Sequence, residues 1–107
     1  RMAFEINPKG TTIVKKAAGK NSIAIRWSAQ EVETSGYQIQ CSTDSRFRKS
    51  NRTATLRNNA TTYYKISKCN TGSVYYVRVR TYKNVKVSGK VVKIYSAWSK
   101  VVAIKAK

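Results

Sequence analysis

The chain has no histidine, one proline and four acidic residues in 107. Without histidine it lacks the commonest general base and metal ligand. The acids, Glu5, Glu31, Glu33 and Asp44, are scattered, and no Ser/His or Cys/His set accompanies them. That leaves no catalytic constellation to assemble. A Gly-rich phosphate loop is missing as well. An enzyme is not expected, nor is a cofactor or a metal. No run of about 18 apolar residues exists and no signal-peptide pattern opens the chain, so membrane insertion is not expected either. Arg1 as first residue reads as a piece of something longer.

Against the four acids stand 22 Lys+Arg, for a net charge of +18, and no acid occurs from residue 45 to residue 107. Such a field attracts anions and keeps a domain soluble, but it does not decide the fold. The candidate anions are nucleic acid, anionic cell-wall polymer, acidic glycan and membrane surface. The competing reading is a solvated Lys-rich surface with no partner.

The length suits one domain, and Val, Ile, Thr and Tyr are abundant, as strands require. The clearest element is Gly72-Ser73-Val74-Tyr75-Tyr76-Val77-Arg78-Val79-Arg80-Thr81-Tyr82. Its period of two puts Tyr75, Val77 and Val79 on a dry face and Tyr76, Arg78, Arg80 and Tyr82 on a wet one. Further strands are read at 11–16, 22–27, 36–42, 51–56 and 61–66. Residues 83–94 extend the long strand as a ribbon whose tip is Ser88-Gly89, and 96–105 close the chain with Val102 and Ile104 inward. The register around Trp98 stays open, a bulge being one reading. Phe47 is read as a cover residue packed under the 42–46 turn. Seven short strands at regular spacing, with no helix signal, predict an all-β, antiparallel, two-sheet sandwich over 10–107. Residues 1–9 read as a leader or linker, ended by Pro8 and Gly10.

These residues resemble a fibronectin type III domain over 10–105. Trp27 closes the second strand as that family's core Trp does, and Tyr37 and Ile39 sit where it places a third-strand Tyr and aliphatic. Gly72 to Val79 is similar to its Gly-Thr-x-Tyr-x-Val-x-Val motif, which makes Tyr75 the expected tyrosine corner and Val77 and Val79 core residues. The resemblance implies a seven-stranded immunoglobulin-like sandwich. Gly36-Tyr37-Gln38-Ile39-Gln40-Cys41-Ser42-Thr43 and Tyr95-Ser96-Ala97-Trp98-Ser99-Lys100-Val101 resemble Lys-rich repeats of Gram-positive bacterial secreted and surface proteins more closely.

Cys41 stands where such repeats carry Tyr, and Cys69 where the family carries Leu. The resemblance puts both inward at one end of the sandwich, so a Cys41–Cys69 disulfide and an oxidising, extracytoplasmic location are expected. The other reading is two buried free thiols serving as small apolar residues.

The same resemblance places Tyr76, Arg78, Arg80 and Tyr82 on an outer face with Gln38 and Gln40, and Trp98 beside Arg78 or Arg80. Ser-Ala-Trp-Ser resembles half of the Trp-Ser-x-Trp-Ser box of cytokine receptors, where an Arg–Trp ladder is structural. The face is such a ladder, a platform for sugar rings or acidic polymer, or a contact between neighbouring repeats. The ribbon, with Lys86 and Lys90 among its lysines, is a second candidate surface, although lysines there also guard an exposed edge.

The resulting expectation is a non-catalytic module of a larger bacterial secreted or cell-surface protein, monomeric in isolation. It acts as a spacer or scaffold among neighbouring domains of the same polypeptide and contacts anionic wall polymer. The alternative is a dedicated adhesion module for host protein or glycan, using the basic-aromatic face or the 83–94 hairpin. Nucleic acid is not expected as a partner, because charge supports it and no motif does.

Overall fold

The computed structural model describes residues 9–31, 34–49 and 51–107. The expected leader lies outside the described residues apart from Lys9, as do Glu5 and Glu33. Two antiparallel sheets face one another. The smaller has the order β1 (Ile13–Gly19), β2 (Ser22–Trp27), β5 (Tyr63–Ile66). The larger runs β4 (Arg52–Leu56), β3 (Gly36–Ser42), β6 (Val74–Val87), β7 (Lys90–Tyr95), with β8 (Val102–Lys105) also on β6.

Alternation decides which residues meet between the sheets. Ile23, Ile25 and Trp27 point inward from β2, Tyr37, Ile39 and Cys41 from β3, and Tyr75, Val77 and Val79 from β6. Ile66, Cys69, Ile104 and Ala106 complete this core. Trp27 and Tyr37 touch across it with ring centroids 5.3 Å apart, tilted by 57°, a favourable aromatic geometry. The Trp27 indole Nε1 is buried with no hydrogen-bond partner among the described residues, a cost of about 1–3 kcal/mol that the ring's burial offsets.

The turns carry the backbone chemistry expected of them. Lys20-Asn21 joins β1 to β2 with Asn21 at φ 55°, a left-handed position that Asn tolerates. Ser88 and Gly89 both have positive φ, 51° and 80°, and close β6 onto β7 as a two-residue hairpin loop. Gly36 is required for a different reason. A Cβ there would lie 1.9 Å from the Leu56 carbonyl oxygen, so only glycine lets β4 approach the start of β3.

Eight strands form where seven are expected: the return arm of the ribbon, β7, and the closing strand, β8, each pair separately with β6. Between them the Ser96 and Ser99 hydroxyls accept from the backbone N–H groups of Thr81 and Val79, each at 3.0 Å. Their own N–H groups donate to the Thr81 and Val79 carbonyls at 3.0 and 2.8 Å. Four residues, Ser96 to Ser99, thus oppose three on β6, Val79 to Thr81, and the excess carries Trp98 out of the ladder. The long strand also runs further than the alternation suggests, 14 residues without a break.

The Tyr37 hydroxyl accepts from the Gln30 N–H at 2.7 Å and donates to the Asn59 carbonyl at 2.6 Å. Two loops at one end of the sandwich therefore share this group. Tyr37→Phe removes both bonds without changing the ring, and a loss of about 1–2 kcal/mol is expected in urea denaturation with an unchanged m-value.

Candidate functional site

The outer face of the larger sheet is built from cross-strand pairs. Register sets Gln38 opposite Arg80 and Gln40 opposite Arg78, and each glutamine grips its arginine. Gln40 Oε1 accepts from Arg78 Nε and Nη2 at 2.9 and 2.5 Å. Gln38 Oε1 accepts from Arg80 Nε and Nη2 at 2.9 and 2.6 Å. Held flat by these bonds, the guanidiniums alternate with aromatic rings. Arg78 Cζ lies 4.0 Å from the Phe47 ring centroid and 4.3 Å from that of Trp98. Arg80 Cζ lies 4.1 Å from Trp98 and 3.7 Å from Tyr95.

The order Phe47–Arg78–Trp98–Arg80–Tyr95 is a continuous cation–π stack. Burial, and for Arg78 the neighbouring Arg80 charge, lowers both arginine pKa values from their ordinary range. Guanidiniums remain charged under such pressure, and here amide oxygens and ring faces take the place of carboxylates.

Arg78, Arg80 and Trp98 are half-buried in the stack. Tyr76 is half-buried on the same strand, opposite Ser42 and Ala103. Tyr82 departs from the wet-face reading, with only 1% of its surface exposed. Its ring meets Tyr95 at 6.4 Å and Lys93 Nζ at 5.4 Å, so it belongs to the packed layer. Lys86 and Lys90 are exposed on the hairpin, outside the stack. Tyr75 is buried, and its hydroxyl accepts from the Asn70 N–H at 2.7 Å.

Sequence reasoning missed the part played by Ser96 and Ser99, which hold Trp98 in position. The signal was their spacing of three around Trp98. It also gave Phe47 only a covering role. Phe47 is buried beneath the Arg78 guanidinium and adopts φ 57°, an unusual backbone for an aromatic residue.

Cys41 and Cys69 require a correction. They are two buried free thiols and not the expected disulfide. Cys69 Sγ is turned to the Ile66 carbonyl at 3.5 Å and is approached by Arg52 Nη2 at 3.5 Å. Burial pushes the Cys41 thiol up from 9.0 to about 11, the nearby Arg52 opposing and Cys69 reinforcing. Since the thiolate is the species that exchanges, a protonated Cys41 is poorly reactive. It lines a cleft of about 350 Å³ with Ile39, Arg52, Ala54 and Ile66, between β4 and β5.

A fibronectin type III domain profile matches residues 7–94. The chain belongs to the fibronectin type III family. Solved structures agree in fold. A myokine structure superposes with a TM-score of 0.67 at 20% identity, over 92% of this chain and 97% of that one. The fibronectin type III domain of human collagen alpha-1(XX) chain, solved in solution, gives 0.69 at 8% identity, over 97% and 90%. No curated protein matches. Fibronectin type III domains are in general non-catalytic modules.

Two measurements check this site. A double-mutant cycle on Trp98→Ala and Arg80→Ala is expected to give a coupling of about 0.5–1 kcal/mol; zero coupling would show that the ring merely covers surface. The Cys41 thiol has a higher pKa folded than unfolded, so its contribution is complete below about pH 9 and lost as pH rises from 9 to 11. Full loss amounts to about 3 kcal/mol. Urea denaturation at pH 8 and pH 11 should show Cys41→Ala losing less stability across this window than the parent chain.

Proposed function

We propose that this fibronectin type III module is a non-catalytic spacer within a larger secreted or surface protein of bacterial type, and that it rests on anionic wall polymer through diffuse charge. The observation that carries the reading is the closed ladder. The groups that looked most like a ligand platform, Arg78, Arg80 and Trp98, already have their donors and faces engaged by Gln40, Gln38, Phe47 and Tyr95. A sheet face consumed in this way is rigid, which suits a spacer.

The remaining charge is unbalanced. Asp44–Arg48 is the side-chain ion pair formed among the described residues, and the chain carries +18. Cations spread over a convex surface attract polyanions without selecting among them. The bacterial surface context rests on the resemblance of residues 36–43 and 95–101 to Lys-rich repeats. The free thiols withdraw the disulfide as a support for it.

A salt titration of binding to teichoic acid, heparin and an unrelated nucleic acid tests this reading. Steep, parallel loss of affinity for all three is expected, with no change on Trp98→Ala. Salt-resistant binding to one polymer, abolished by Trp98→Ala in a folded protein, would replace the spacer with a dedicated binding module.

A further inference from the structure

The β6–β7 hairpin leaves the sandwich. β3 pairs with β6 only as far as Gly36 opposite Tyr82, while β6 and β7 stay paired from Tyr82–Tyr95 out to Val87–Lys90. The molecule is accordingly elongated, 54 × 26 × 21 Å. A two-stranded ribbon is marginal in water, and a third strand is what stabilises it. This ribbon also exposes aliphatic surface: Val87, Val91 and Val92 are 51, 60 and 44% exposed.

The ribbon's two edges differ. On the β6 side, the Asn84 N–H is taken by the Ser35 hydroxyl at 3.0 Å. On the other side, β7 ends the sheet order among the described residues. Proteins protect such an edge with proline, a bulge, a very short strand or lysine. β7 has no proline, a register free of bulges and six residues. Among the described residues, Lys90 and Lys93 are what guards it.

A guard made of charge alone depends on the sign of the partner. A second copy of this chain would bring lysines against lysines within a +18 field, and like charges across strands repel. An acidic strand neutralises the guard and gains the edge. Lys90 and Lys93 are three residues apart, so the pleat sends them to opposite faces. A strand matching both carries acids three apart with two aliphatics between, opposite Val91 and Val92. A glycan or lipid headgroup offers no such ladder of backbone donors and acceptors.

We infer that the outer edge of β7 is a docking site for an extended, acidic segment of a partner protein, of the pattern acid–aliphatic–aliphatic–acid, which adds as a further strand of the larger sheet. The inference is independent of the spacer reading. It invokes a backbone edge, whereas that reading invokes diffuse charge.

The probe is the peptide Thr-Val-Glu-Val-Val-Glu-Val-Thr, blocked at both ends and titrated into the isotope-labelled chain at low salt. Two control peptides accompany it. One has the same composition with the glutamates two apart, and the other is N-methylated at alternate amides. Saturable binding is expected, with amide shifts concentrated at residues 90–95. The controls should bind more weakly, and Lys90→Glu with Lys93→Glu should lower affinity at least about tenfold. Because both lysines are exposed, the double variant should fold, which its unshifted core amides would verify. Equal binding of the N-methylated peptide would reduce the effect to charge attraction and overturn the proposal. So would self-association of the unliganded chain through β7, binding to anionic vesicles without binding to the peptide, or no binding at all.

Discussion

Strand β6 is the constraint on which the larger sheet depends. It pairs with β3 along one side and with β8 and then β7 along the other. Its inward residues Tyr75, Val77 and Val79 fill the core, and its outward residues Arg78 and Arg80 form the ladder. Because the side-chain period is two, a slip of one residue would exchange these faces, burying arginines and exposing valines. The unpaired cost of a buried guanidinium makes that register unfavourable. Core and ladder therefore specify the same alignment from opposite sides of one strand.

The ladder shows how a chain short of acids accommodates buried cations. Among the described residues no carboxylate pairs with Arg78 or Arg80. Glutamine oxygens accept from Nε and Nη2 of each, and ring faces lie against the charge. The bidentate grip holds each guanidinium parallel to the rings, so the two interactions support one another. Ser96 and Ser99 make the stack possible. Their hydroxyls take the place of the carbonyls that a continuous neighbouring strand would offer to β6, and the sheet can then be interrupted without leaving the Val79 and Thr81 N–H groups unsatisfied. Trp98 occupies the displaced turn.

The thiols follow another logic. Cys41 and Cys69 both lie in the apolar interior, where a protonated thiol packs as a small hydrophobe. Their proximity, which suggested a covalent staple, instead raises the Cys41 pKa further. The hairpin contrasts with all of this. It is held by its own ladder and turn, with little core beneath it, and it is the place where the fold leaves backbone and aliphatic surface open together.

Much of this was legible in the residue order. The alternation of 72–82, the inward faces that carry Trp27 and Tyr37, and the Ser88-Gly89 tip need only local rules, since period and turn chemistry act within a few residues. The sequence by itself determined an all-β chain, the inward faces of its central strands, its charge and its want of histidine. The tertiary structure decided the rest. It stacked Arg78, Arg80 and Trp98 into a ladder, buried Tyr82, began the closing strand only at Val102 and left Cys41 and Cys69 unbonded. Each of these depends on what another strand brings alongside, at separations of 15 to 42 residues for the serine and glutamine contacts. Periodicity states which way a side chain points, and only packing states what it meets there.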